Sequence, residues 1–142
     1  MLGARWSELD VELRVWMIPA ERMKAGVEHR APLSLKAIDT LSPRWRTSMT
    51  ADGLLFPGQG AKPLSNMAML AVLKRMGRTD ITAHGFRSVF RDWAAENGVA
   101  REIAKAALAH VVDNKVEAAY LRTTLFARRR KVMDDWASAT ER

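Results

Sequence analysis

Residues 82–98, TAHGFRSVFRDWAAENG, decide how the second half of the chain is organised. The large apolar residues of this stretch recur at the spacing of one helix face, at Phe86, Val89, Phe90, Trp93 and Ala94. Thr82 is a preferred residue for a helix start, and Gly98 stands where a C-terminal cap glycine is expected. The stretch therefore predicts an amphipathic helix whose first turn carries His84 and Arg87.

Helical spacing also occurs on both sides of this stretch. Ser34 is a candidate cap for a helix that stops at Pro43, and Ser65 is a candidate cap for a second helix closed by Gly77. The apolar face of that second helix is expected at Met69, Leu70, Val72, Leu73 and Met76. Three more helices are predicted downstream, over residues 103–108, 114–120 and 125–137. In the last of these, Val132, Met133 and Trp136 are expected to point inward.

The front of the chain has a different periodicity. From Val11 to Trp16, apolar residues alternate with Glu12 and Arg14, which is typical of a half-buried strand that continues to Ile18. A polar turn over residues 21–29 precedes a short returning strand over 30–34, where Pro32 indicates an edge position or the last pairing. We expect a fold that is mainly α with a small three-stranded antiparallel β-sheet (α+β), as one domain over residues 1–142.

Composition limits the classes of function. The 142 residues include 23 Lys and Arg against 16 Asp and Glu, a formal charge of +7, which favours a polyanionic partner such as nucleic acid. The absence of cysteine removes disulfides and thiolate catalysis. No apolar run approaches the roughly 18 residues that span a bilayer, and no secretory signal begins the chain. We expect a cytoplasmic protein with no membrane partner.

Four residues are candidates for phosphate chemistry. His84 and Arg87 lie three residues apart at a helix start, where free N–H groups attract anions, and Arg87 offers a planar fork for phosphate oxygens. His110 and Tyr120, the sole tyrosine, follow downstream. Each has an ordinary alternative: a capping histidine, a surface arginine, a histidine at a helix C-terminus, a core tyrosine with a hydrated hydroxyl. A carboxylate-based metal nuclease is disfavoured, because no acid or histidine cluster has ligand spacing.

Together, in this order, these residues resemble the catalytic domain of the tyrosine recombinases, specifically the phage-type integrases. The resemblance runs through nearly the whole chain and is carried by residues 6–10, 16–19, 22–24, 29–34, 55–57, 84–87, 108–110 and 119–122. It implies DNA strand cleavage and rejoining through a 3′-phosphotyrosyl intermediate, with no cofactor. It also implies double-stranded DNA as the partner and a homo-oligomer, a tetramer on DNA in the intact protein.

The resemblance also implies a role for each residue. Tyr120 corresponds to the nucleophile, Arg87 to an arginine that neutralises the non-bridging oxygens, and His84 to the histidine that assists deprotonation of the tyrosine. His110 corresponds to a further phosphate ligand. Lys24, in the turn between two strands, corresponds to the general acid for the departing 5′-hydroxyl. The chemistry agrees, since a phenol of pKa about 10 needs cationic neighbours or a base to attack at neutral pH.

Other basic residues are candidates for the DNA backbone. Arg22, Arg30, Arg91 and Arg122 are expected near the active face, where they would give salt-dependent affinity without reading sequence. The run Arg128-Arg129-Arg130-Lys131 has two interpretations, a solvated helix face, which is favoured slightly, or a phosphate contact.

One part of the pattern has no counterpart in this sequence. The resemblance places another catalytic arginine, and further DNA-binding domains, ahead of the strand that starts near Trp6. Because they are missing here, we expect weak or undetectable recombination from residues 1–142 alone. A DNA-binding remnant of a mobile element that has lost catalysis is the alternative function, and a basic helical protein with an accidental motif is a third.

Overall fold

The computed structural model describes residues 2–45, 52–109 and 125–140. Its strands are β1 (Leu9–Asp10), β2 (Val15–Ile18) and β3 (His29–Pro32), and its helices are α1 (Leu35–Trp45), α2 (Ala68–Arg75), α3 (Gly85–Glu96), α4 (Arg101–Ala107) and α5 (Phe126–Ala139). The expected class, mainly α with a three-stranded antiparallel sheet, is confirmed. The short helix predicted over 114–120 lies outside the described residues. Among the helices that are described, none has the length and apolar character needed to span a bilayer.

The sheet has the order β1-β2-β3, with both pairs antiparallel. Pro32 pairs with Val15 as the last residue of β3, as its missing N–H led us to expect. The strand predicted from Val11 onward is wrong at its start, because residues 11–14 form the turn between β1 and β2. The backbone N–H of Leu13 donates to the Asp10 carboxylate at 2.7 Å, and this side-chain bond competes with strand pairing.

Helix α1 begins as predicted and ends later than predicted. The N–H of Ala37 donates to Ser34 Oγ at 3.2 Å, so Ser34 supplies the expected side-chain contact at the helix start. Pro43 lies inside the helix, which continues to Trp45. Pro43 has no N–H for the carbonyl of Asp39, and the hydroxyl of Ser42 donates to that oxygen at 3.0 Å instead. The helix therefore passes the proline without leaving this carbonyl unpaired.

Helix α2 shows only part of its predicted apolar face to the core. Leu73 is buried, whereas Met69, Leu70, Val72 and Met76 are exposed. Gly77, at φ +72°, lies just after the helix as predicted, and the N–H of Arg78 reaches back to the carbonyl of Leu73 at 2.9 Å.

Two apolar clusters form the core of the described residues. The first joins the sheet to the segment around Leu55, and its buried members are Ala4, Trp6, Leu9 and Leu55. The second joins α3, α4 and α5, and its buried members are Phe90, Ile103, Leu125 and Val132. Trp136 packs edge-on against Phe90 in the second cluster, with ring centroids 5.6 Å apart. Phe86 and Val89, predicted to share this stripe, are instead more than half exposed.

Helix α5 docks on the sheet through its basic residues. Arg130 Nη2 donates to the carbonyl of Leu13 at 2.7 Å. Arg129 Nη1 donates to the carbonyl of Arg30 at 3.0 Å and to that of Ala106 at 3.4 Å. Arg129 is only 2% exposed, so neither interpretation of the 128–131 run holds for this residue. The helix turns Arg129 inward while it leaves Arg128 and Lys131 in solvent.

The buried guanidinium affects His29 at the start of β3. Burial of the imidazole, and then the positive charge of Arg129, lower the pKa of His29 from 6.5 to about 4. The neutral imidazole is therefore the form that the folded chain accommodates at neutral pH.

This pKa predicts a stability that declines on mild acidification. Between pH 6.5 and pH 4 the unfolded chain binds a proton at His29 that the folded chain does not, so folding stability falls as pH falls through this window. We expect a loss of about 1–2 kcal/mol between pH 6.5 and 4.5, after a discount for partial solvent exposure. Urea unfolding across this range measures it. His29→Gln should remove most of the slope, and an equal slope in that variant would contradict the assignment.

Candidate nucleic-acid interface

The start of α3 holds the two residues of the central motif close together. Gly85 N–H donates to both the carbonyl and the hydroxyl oxygen of Thr82, at 3.0 and 3.1 Å. Thr82 thus makes the predicted capping contact, although the helix starts at Gly85 with His84 as the residue before it. Arg87 N–H donates to the carbonyl of His84 at 2.9 Å. His84 and Arg87 are both exposed at an end of the helix where free N–H groups favour anions.

Arg87 also links α3 to the end of α4. Its Nη2 donates to the carbonyl of Leu108 at 2.6 Å, across 21 residues of sequence. Leu108 is the C-cap of α4, and Ala109 after it has a left-handed backbone at φ +54°. A guanidinium has five N–H donors, so this single bond leaves donors for an anion at the exposed surface.

The connection between α3 and α4 is short and well capped. Gly98 has φ +68°, and the N–H of Val99 donates to the carbonyl of Ala94 at 2.8 Å, which closes α3 as its sequence predicts. Because this turn fixes one helix relative to the next, it sets the distance between the start of α3 and the end of α4.

Three predicted site residues, His110, Tyr120 and Arg122, lie outside the described residues. His110 is adjacent in sequence to Ala109, and Tyr120 precedes α5 by six residues. Their assignment stays a prediction.

Lys24 lies where the sequence predicts, in the connection between β2 and β3. A single 3-10 turn over Ala20–Arg22 is followed by Gly26, whose φ of +60° suits glycine. The N–H of Gly26 donates to the carbonyl of Met23 at 2.9 Å and closes a tight turn around Lys24. Lys24 itself is exposed.

Arg22 has a partner that the sequence does not reveal. Its guanidinium forms an ion pair with the carboxylate of Glu8, which also accepts a 3.0 Å hydrogen bond from the indole of Trp16. Glu8 is largely covered, with 12% of its side chain exposed. The two contacts fix the base of the hairpin that carries Lys24.

The remaining predicted contacts divide between two surfaces. Arg30 is exposed on β3, opposite Met17, while its carbonyl accepts from Arg129. Arg91 is exposed on α3, one turn beyond Arg87, and lines a cavity of about 280 Å³ between α3 and α4. The cavity wall includes two further cations that sequence reasoning missed, Arg101 and Lys105. Their spacing of four residues indicates one shared helix face, but not that this face lies beside Arg91.

The arrangement is suited to a polyanion that crosses the ends of α3 and α4. Arg91, Arg101 and Lys105 surround an apolar floor that includes Val99 and Leu108. Leu108 is the same residue whose carbonyl holds Arg87, so the cavity adjoins the motif at the start of α3. Cationic side chains around such a cavity can neutralise the phosphates of a polyanion.

Known proteins match this sequence over most of its length. The model of the phage integrase family matches residues 1–125. The prophage integrase IntA of Escherichia coli strain K12 is 36% identical over 137 residues, which cover 94% of this chain and 33% of that protein. The integrase of enterobacteria phage P4 is 33% identical over 94% of this chain and 34% of its own length. The prophage integrase IntZ of E. coli K12 is 34% identical over 96% of this chain and 34% of its own length.

The chain thus spans about a third of the length of these curated relatives. No solved structure matches it. The family match covers the hairpin with Lys24, the His84–Arg87 motif and the end of α4 in one alignment. On these grounds, the chain belongs to the phage integrase family of tyrosine recombinases.

Proposed function

We propose that residues 1–142 form the catalytic domain of a site-specific recombinase, which cuts and rejoins double-stranded DNA through a 3′-phosphotyrosyl intermediate. The observation that carries the proposal is the 2.6 Å bond from Arg87 to the Leu108 carbonyl. It brings the His84–Arg87 motif to Leu108, which lies 21 residues beyond Arg87 and two residues ahead of His110 in sequence. In this proposal, His84, Arg87 and His110 bind a single phosphate.

In the proposed reaction, the Tyr120 hydroxyl oxygen attacks the scissile phosphorus. A bond forms between this oxygen and phosphorus, and the bond from phosphorus to the 5′-oxygen of the leaving strand breaks. His84 assists removal of the phenolic proton, and Lys24 delivers a proton to the leaving oxygen. Since one phosphodiester replaces another, the energy of the bond is kept, and the reverse attack by a 5′-hydroxyl rejoins DNA without ATP.

Arg87 and His110 carry the electrostatic part of this mechanism. Negative charge increases on the two non-bridging oxygens in the transition state, and fixed donors there are worth more than the same donors in water. The Leu108 carbonyl accepts a hydrogen bond from one side of the Arg87 guanidinium. The remaining N–H groups of Arg87 are therefore already oriented when they bind the phosphate.

The flanking DNA backbone lies along the cations of α3 and α4 in this proposal. Arg91, Arg101 and Lys105 bind phosphates next to the scissile one, while Arg22, Arg30 and Arg122 extend the contact toward the hairpin and the Tyr120 segment. These contacts position the duplex and supply affinity, and they do not read its sequence.

The intact protein acts on DNA as a tetramer in the cytoplasm, and the chain alone recombines weakly. The matched region covers about a third of the length of the relatives, which leaves two thirds of their residues to contribute to activity.

Covalent trapping tests the chemistry. Incubation with a nicked suicide duplex, which lets the cleaved strand diffuse away, should give a slow adduct that migrates as protein joined to DNA. Tyr120→Phe should give none, and Arg87→Ala should form it at least about a hundredfold more slowly. Tight, salt-dependent binding by the unmodified chain without any adduct would overturn catalysis and favour the DNA-binding remnant.

Salt dependence of DNA affinity tests the phosphate track. The double substitution Arg101→Gln, Lys105→Gln should flatten the plot of log affinity against log salt by about 0.9 for each phosphate that is no longer neutralised. The matched control is Arg128→Gln, Lys131→Gln, which removes the same charge from the solvent side of α5 and should change the slope far less. Equal effects of the two pairs would show that α3 and α4 have no special part in binding.

A further inference from the structure

Arg129 is the most deeply buried large side chain of the described residues, at 2% exposure. Taking a charge out of water is costly unless the charge is well paired. Within the described ranges, its hydrogen-bond partners are the neutral carbonyls of Arg30 and Ala106, and its Nε is buried without a partner. The ring of Phe126 lies 5.4 Å from its Cζ. Burial lowers the pKa of Arg129 from its ordinary value. A hydrophobic residue of similar size would avoid this cost.

The position of the guanidinium explains what it contributes. The last carbonyls of a helix lack partners within the helix and attract cations. At the end of α4, Arg129 donates to the carbonyl of Ala106, and Arg87 donates to that of Leu108, two residues later. The C-terminal end of α4 is therefore held by two guanidinium groups, one from the interior and one from the exposed motif. The same Nη1 of Arg129 also holds β3 through the carbonyl of Arg30.

We propose that Arg129 is a positioning residue that fixes the end of α4 against β3, and thereby sets where the Leu108 carbonyl holds Arg87. The functional part of this inference rests on the proposed role of Arg87 at the phosphate. Its structural part does not. A displacement of about 1 Å in a group that orients a reacting centre can cost about a hundredfold in rate, so an internal tether at this point has a direct effect on the site.

The first test needs no DNA. The carbonyl carbon of Leu108 reports its hydrogen bond from Arg87 in the NMR spectrum of the folded chain. Arg129→Met, which keeps length but removes charge and donors, should shift that signal, and Arg129→Lys should shift it less. Arg128→Met, on the exposed neighbour, is the matched control and should leave it unchanged. A merely stabilising role would alter the folded population and not the position of this signal. An unmoved Leu108 signal in folded Arg129→Met would overturn the proposal.

The second test uses DNA and a double-mutant cycle. Arg87→Ala should weaken binding of a duplex about tenfold in the unmodified chain, since a charge-assisted hydrogen bond to phosphate is removed. In the Arg129→Met background, Arg87→Ala should weaken duplex binding less than about threefold, because Arg87 is no longer oriented there. Equal factors in both backgrounds would contradict coupling. If the chain binds no DNA at all, the proposed function fails, while the NMR result still decides the role of Arg129.

If neither Arg129→Met nor Arg129→Lys folds, the unmodified chain supplies the decisive measurement. The Nη protons of Arg129 should exchange with solvent at least tenfold more slowly than those of exposed Arg128, since both carbonyl bonds must open first. Similar exchange rates at the two arginines would overturn the tether.

Discussion

The docking of α5 through Arg129 is the constraint on which the described structure depends. One guanidinium joins α5 to β3 and to the end of α4, with its charge almost wholly removed from water. Asp134, farther along α5, adds a second attachment, because its carboxylate pairs with Arg14 and accepts the N–H of Leu35 at the start of α1. The sheet, α1, α4 and α5 therefore share one set of polar contacts above the apolar cluster of α3, α4 and α5.

The candidate site lies at the start of α3 and the end of α4, at the margin of this set of contacts. Sequence identifies His84 and Arg87 correctly as neighbours at a helix start, because their spacing and the Thr82 cap are local properties. The contact of Arg87 with Leu108 joins residues 21 apart in sequence, so no local pattern predicts it. Only the resemblance implies that the His84–Arg87 motif and residues 108–110 act together. Arg101 and Lys105 look like ordinary surface cations in sequence. Their position beside Arg91 follows from how α3 and α4 pack, which no short pattern contains.

The fold was predictable where local chemistry decides it. Ser34, Gly98 and Pro32 each act as their residue type indicates, at a helix start, a helix end and a last strand pairing. The alternation of residues 11–14 predicts a strand. Instead, the Asp10 carboxylate accepts a hydrogen bond from the N–H of Leu13, and these residues form a turn. Arg129 was unpredictable for another reason. A run of four basic residues suggests a solvated face, and only tertiary packing decides which of them turns inward.

The proposed mechanism depends most directly on whether its cations and its phenol meet at one phosphate. The decisive measurement is a crystal structure of the chain bound to a DNA duplex. The mechanism predicts donors of His84, Arg87 and His110 within about 3.2 Å of the same phosphate oxygens, with the Tyr120 hydroxyl in line with the leaving 5′-oxygen. A structure in which these three side chains contact different phosphates, and the hydroxyl of Tyr120 is packed in the interior facing away from them, would contradict it.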